Sequence, residues 1–240
     1  MKFGVKNNYK GKFIVFEGID GSGKSTQTKL LEKSLEEQGY KTERIDFPQH
    51  GEKSAGLVDE YLTGKYGVSE KVGPHIASIF YACDRYDASF KIRKWIDEKK
   101  IVISDRYVVS NIGHQGGKIE SGKDWKKYVK WLYNLEYKIF KIPKPDYTFI
   151  LKTSPEYSLK LAHNITDEEK KARRKSYLGN KKRDIHEKDG THLRKALDSY
   201  LKAAKEFPKE FKVIECIENG KLLNPEVINE KVLKIIKKIL

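Results

Sequence analysis

Cysteine is nearly absent: Cys83 and Cys216 are the only two in 240 residues. Two isolated thiols exclude a disulfide framework and a CxxC metal site, and the expectation is a pair of buried thiols in a reducing compartment. Long apolar runs are missing as well. The opening MKFGVKNNYKGK has no continuous apolar core before Phe13, and no stretch approaches the ~20 residues of a membrane span. A cytoplasmic chain with no membrane partner is expected. No fixed-period repeat and no linker-like composition divides the sequence, which excludes a repeat array and predicts one domain over residues 13–240 behind a loosely ordered extension, residues 1–12. Acidic residues are outnumbered, 34 Asp and Glu against 49 Lys and Arg, for a net charge of +15. That balance suits a polyanionic partner, whether nucleotide or nucleic acid, although much of the excess is lysine scattered over polar helix faces.

What is present is an alternation of short apolar runs with helical patterns. Runs at 13–16, 101–104, 147–151 and 212–216, with a further strand over 41–47, predict a five-stranded parallel sheet covered on both faces. Leu30, Leu31 and Leu35 fall at helical spacing over 25–38 before Gly39. Pro74 opens a long helix carrying Ile76, Ile79, Phe80, Cys83 and Trp95, while Ser154-Pro155-Glu156 and Asn224-Pro225-Glu226 read as cap, first-turn proline and first-turn acid. In such α/β sheets ligands lie beyond the carboxyl ends of the strands.

At the end of the first run stands FEGIDGSGKSTQ, residues 16–27. Gly18, Gly23, Lys24 and Ser25 match GxxxxGK[ST], a loop whose backbone N–H groups surround phosphates, whose lysine bridges the outer phosphates and whose hydroxyl holds Mg²⁺. Gly18, Ile19, Asp20, Gly21, Ser22, Gly23, Lys24, Ser25 and Thr26 are therefore the predicted ATP-binding residues, with Lys24 expected to stand exposed in the loop. DRYVVSNIGHQGG, 105–117, begins where the run 101–104 stops. Asp105 can join Ser25 as a second Mg²⁺ ligand, and Arg106 offers a planar donor fork to another phosphate. FYACDR, 80–85, puts an aromatic ring and a guanidinium within about one helical turn, so both can border one pocket. Taken singly, Phe80 reads as core and Asp84-Arg85 as a surface ion pair. KKARRKSYLGNKKR, 170–183, holds eight Lys or Arg in fourteen residues and reads as a basic lid, over about 164–190, that closes on phosphates.

In this order the stretches resemble the thymidylate kinase family. The resemblance rests on FEGxDGxGKSTQ, Phe47-Pro48, FYACDR, the DRY-S-x-x-x-x-QGG run and YKIFKIPKPDYTFIL. It implies a P-loop NTPase fold with a helical basic lid, transfer of a phosphoryl group from ATP to dTMP, a Mg²⁺ cofactor and a homodimer, with no nucleic-acid partner. It also implies roles: Phe80 stacked on thymine, Arg85 donating to a base carbonyl, and Ser110, Asn111 and Gln115 bordering the base edge. Arg106 would grip the acceptor phosphate, Asp20 would lie near the acceptor sugar and phosphate, and Phe47 and Pro48 would shape the acceptor side. No NKxD motif follows a strand, which disfavours GTPases. Ser22 stands where some members carry arginine, so charge for the transferring group must come from Arg173, Arg174 or Arg183. Gly113-His114 replaces the family's Ala-Tyr, putting a smaller ring beside the sugar. The acidic pair after the lid is recognisable at Asp184 and Glu187, around an unusual Ile185-His186. The alternatives are a related kinase with another nucleotide or nucleoside acceptor, and a non-catalytic nucleotide- or nucleic-acid-binding protein.

Overall fold

Five strands form one parallel sheet in the order β2-β3-β1-β4-β5. In the computed structural model, which describes residues 11–163, 190–238 and 240, these are β1 (Lys12–Glu17), β2 (Thr42–Asp46), β3 (Ile101–Asp105), β4 (Tyr147–Lys152) and β5 (Phe211–Glu215). Every run read as a strand is one, to within a residue or two. β1 lies at the centre and is apolar on both sides, as a strand covered by helices on each face must be. Phe13 and Val15 point into one core; Ile14 and Phe16 point into the other.

The helices are α1 (Lys24–Glu36), α2 (Gly56–Leu62), α3 (Ser69–Asp97), α4 (Val108–His114), α5 (Gly122–Tyr133), α6 (Pro155–His163), α7 (Gly190–Glu206) and α8 (Pro225–Ile236). Leu31 and Leu35 of α1 and Ile228, Val232 and Ile236 of α8 pack on one face of the sheet. α3, α4, α5 and α7 pack on the other through Ile92, Ile112, Trp125, Leu132 and Tyr200. A satellite cluster of Val58, Tyr61, Leu62 and Ala77 ties α2 to α3. Within α3, Gly73 leaves helical geometry (φ 74°, ψ 162°), so the unbroken helix starts at Pro74, where the sequence pattern puts it.

Three features depart from expectation. Order begins before residue 13, because Gly11 donates its N–H to Ile96 O at 3.0 Å and Lys12 already belongs to β1. A two-stranded hairpin, β6 (Ile217–Glu218) and β7 (Lys221–Leu222), turns on Asn219-Gly220, both at positive φ, which is a turn signal legible in the sequence. Cys216 is buried, whereas Cys83 is only partly so. The basic run and the expected lid lie outside the described residues.

Candidate active site

β1 ends in Glu17, and the chain turns through residues 18–23 into the first turn of α1, with Gly23 at φ 89°. The N-terminus of a helix at a strand's carboxyl end favours an anion. α6 lies directly against this loop: a Cβ on Gly21 would sit 2.1 Å from Ser158 O, so the close approach demands glycine. Lys24 departs from the expected exposed loop lysine. It is 5% exposed, and its Nζ donates to Gly18 O at 3.2 Å and Ile19 O at 2.9 Å. By bonding two carbonyls of the loop, the ammonium helps hold the loop's shape.

β3 pairs with β1 so that Asp105 lies beside Phe16, one residue from the loop's approach. The next residue, Arg106, adopts φ 69°, which non-glycine residues rarely occupy. This turn sends its side chain back over the loop. Arg106 Nη1 donates to Gly18 O at 3.2 Å and Ser110 Oγ at 3.2 Å, and lies 3.1 Å from His114 Nε2. Nη2 pairs with Asp20. Asp20 is 40% exposed on its side chain. Burial pushes its carboxyl up, but the neighbouring groups, Arg106 foremost with His114, Lys24 and His192, together outweigh it and hold the carboxyl well below the usual carboxylate range. Burial likewise opposes the charge on Arg106, and Asp20, Tyr200, Asp105 and Glu17 together outweigh it.

Beneath Arg106 lies Glu17, fully buried on the central strand. Its Oε1 accepts from Tyr107 N at 2.8 Å and Ser110 N at 2.9 Å, and its Oε2 from Ser110 Oγ at 2.6 Å and Tyr200 Oη at 3.0 Å. Burial pushes this carboxyl up, against those donors and the Arg106 charge. One carboxylate thus joins the strand bearing the loop to the first turn of α4 and to α7. Sequence reading missed Glu17, although an acid at the end of a central apolar strand is itself a signal, since such a charge must find partners. His192 and Tyr200, also missed, come from α7 and carry no local signal. Gly113 now has a reason: a Cβ there would lie 2.2 Å from the Tyr200 ring, so the alanine usual in the resembled family cannot fit against this helix.

Asp20, Lys24, Arg106, Ser110 and His114 are therefore brought together, with Ser25 and Asp105 at the adjoining turn and strand end. Other candidates point into the protein. Asn111 is buried and donates Nδ2 to Ser78 O at 3.3 Å, and Gln115 Oε1 accepts from Lys118 Nζ at 2.7 Å. Phe47 is buried with its ring 5.5 Å from that of Tyr107, and the Phe47-Pro48 peptide is cis. Phe80 packs against Tyr61 and Tyr66, with ring centroids at 6.2 and 5.4 Å. Asp84 and Arg85 are not a surface pair, because both are buried with separate partners. Asp84 accepts from Gln49 N, Gln49 Nε2 and Ser54 Oγ, pinning the chain after Pro48. Arg85, 1% exposed, gives Nε and Nη2 to the fully buried Glu136. Only its Nη1 edge, 3.4 Å from Tyr107 O, is not committed to that carboxylate. Arg173, Arg174, Arg183, Asp184 and Glu187 lie outside the described residues.

The family model described as thymidylate kinase matches residues 16–223. The thymidylate kinase of a Thermoanaerobacter species is 32% identical over 221 residues, covering 92% of this chain and 97% of its own length. That of Caldicellulosiruptor saccharolyticus is 32% identical over 232 residues, covering 96% and 98%. Among solved structures, the thymidylate kinase of Candida albicans superposes with a TM-score of 0.67 at 22% identity, covering 95% of this chain and 92% of that one, a likeness of fold.

Proposed function

The chain belongs to the thymidylate kinase family, and on that premise we propose how its residues carry the transfer of the γ-phosphoryl group of ATP to dTMP, giving dTDP and ADP. The observation that carries the reading is the contact between the two halves of the site. Arg106, the expected grip on the acceptor phosphate, donates to Gly18 O of the loop expected to hold the donor phosphates, 3.2 Å away. Two phosphates bound by neighbouring groups are in position for direct in-line transfer, which needs placement and charge neutralisation rather than a covalent enzyme intermediate. Lys24 and the helix α1 N-terminus neutralise the donor, Arg106 the acceptor, and Asp20 and His114 orient Arg106. Gly18, Ile19, Gly21, Ser22, Gly23 and Thr26 line the donor loop. Ser110 supports the grip from α4, and Phe80 and the Nη1 edge of Arg85 remain candidates for the base.

Ser25 and Asp105 fit Mg²⁺. Asp105 is partly exposed, and no hydrogen bond engages its carboxylate among the described residues. No cluster of three or more His, Cys, Asp or Glu suited to a metal occurs among those residues. Mg²⁺ is typically held by one or two protein oxygens with phosphates and waters, so a hydroxyl and a carboxylate suffice. Held by Ser25 and Asp105, it would supply positive charge to offset that of the nucleotide's phosphates. The homodimer is supported by α3, where Ile76, Tyr86 and Phe90 are exposed on one stripe. No helix among the described residues is long and apolar enough to cross a membrane.

Measuring ADP release with ATP and each nucleoside monophosphate, the ribose counterpart of dTMP, and thymidine tests the reading. Turnover greatest with dTMP is expected. Turnover with another acceptor alone would move the assignment to a related kinase, and salt-sensitive DNA binding without ADP release would replace it with a binding protein.

A further inference from the structure

Arg106 is held from two sides. On one is Asp20; on the other is His114, expected beside the sugar, paired with His192, which no motif predicted. His114 Nε2 lies 3.1 Å from Arg106 Nη1, and His114 Nδ1 lies 3.2 Å from His192 Nε2. The chemistry of these atoms fixes the protons. A guanidinium nitrogen only donates, so His114 Nε2 must accept and carry no hydrogen. A neutral His114 then holds its proton on Nδ1, which faces His192 Nε2, and that atom must accept in turn. For a neutral His114, the direction Arg106 to His114 to His192 is the one that satisfies both of these contacts.

The framework around the pair is rigid. His192 and Tyr200 are eight residues apart on α7, about two helical turns. Tyr200 is locked between Glu17 and the bare backbone of Gly113, and its ring stands edge-on to His114 at 5.9 Å and 89°. The two imidazoles lie nearly parallel, 27° apart with centroids at 5.4 Å. If His192 were removed, His114 Nδ1–H would lose that acceptor and the ring would be freer to take its other tautomer. That tautomer sets an N–H against the guanidinium and removes one support of Arg106.

We propose that His192 is a positioning residue for the acceptor's phosphate monoester. It holds His114 in the Nδ1–H tautomer, and His114 in turn aims Arg106. The proposal rests on the kinase reading above for its substrate, and on the geometry alone for the relay.

Two measurements test it. The first is the ¹⁵N spectrum of the imidazoles in the full chain without nucleotide, at neutral to mildly alkaline pH. His114 is expected as the Nδ1–H tautomer in the unaltered protein, shifting toward Nε2–H in His192→Ala and returning in His192→Gln, whose side-chain carbonyl can accept from Nδ1–H. The second is a kinetic cycle. His192→Ala is expected to lower kcat/KM for dTMP roughly tenfold, mostly through KM for dTMP, with KM for ATP unchanged within about twofold. His192→Gln should recover most of the loss, and in a His114→Ala background the same substitution should cost less than about twofold. An unchanged His114 tautomer in His192→Ala, or an equal loss in both backgrounds, overturns the proposal. Because the spectrum needs no acceptor, absence of dTMP turnover in the unaltered protein would overturn the kinase reading while the spectrum still decides the relay.

Discussion

At the scale of single residues, burial changes what a familiar side chain is expected to do. Lys24 belongs to a loop whose lysine is usually discussed as a charge for phosphates, yet here it is nearly inaccessible and caps two backbone carbonyls. Lys24→Ala should therefore abolish ADP release and also destabilise the fold, by on the order of 1–3 kcal/mol, since Gly18 O and Ile19 O would lose a charged donor. Denaturant titration alongside the activity assay checks both halves. Near-normal turnover would remove Lys24 from the chemistry, and unchanged stability would show that the loop re-satisfies its own carbonyls. Arg106 makes the complementary point. Its left-handed backbone costs energy of order 1 kcal/mol or more, and its N–H bond to Phe16 O, 2.8 Å, helps hold that geometry where the side chain meets the loop.

At the scale of elements, α3 is braced by a charge pair far from any solvent. Arg85 and Glu136, 1% and 0% exposed on their side chains, join α3 to the π-helical turn Asn134–Ile139 that follows α5. The turn matters because it directs Glu136 inward. Arg85→Met would leave a buried carboxylate with no counter-charge, a loss typically worth about 3–5 kcal/mol. The double variant Arg85→Met with Glu136→Leu should recover a large part of it, because two apolar groups need no partners. Urea midpoints of the single and double variants read this directly. A double variant no more stable than Arg85→Met would mean that the pair's shape, rather than its charge balance, holds the two elements together.

At the scale of the whole molecule, one face of α3 remains to be covered. Ile76, Ile79, Cys83, Tyr86 and Phe90 recur at alternating steps of three and four residues along the helix, the spacing of a helix–helix seam. Phe90 is 58% exposed and Ile76 50%. An apolar stripe of this kind on a highly charged surface marks an interaction face, and the homodimer proposed above would place a second copy of the chain on it. Phe90→Glu is expected to turn the proposed dimer into a monomer in light scattering at micromolar concentration, because two such faces would then bury like charges against each other. A chain already monomeric before substitution, or a variant still dimeric, would place the contact elsewhere.

By itself the sequence determined the sheet, the helices with clear local signals, and the loop proposed to hold the donor phosphates. Strand and helix periods are local, so the five strands, α1, α3 from Pro74 and the starts of α6 and α8 are legible within a few residues of their true ends, whereas α2, α4, α5 and α7 are not read from the sequence. The phosphate loop is legible because its whole chemistry lies in eight consecutive positions, 18–25. The acceptor half is different in kind. His114 meets His192 across 78 residues, Glu17 meets Tyr200 across 183, and Arg85 meets Glu136 across 51. The family resemblance implied that Arg85 faces a ligand and that Asn111 and Gln115 line a base edge, but it could not say which side chains the packed helices would engage first. That choice follows from how closely α7 approaches α4 at Gly113, a distance set by the summed packing of the core and encoded in no single stretch of chain.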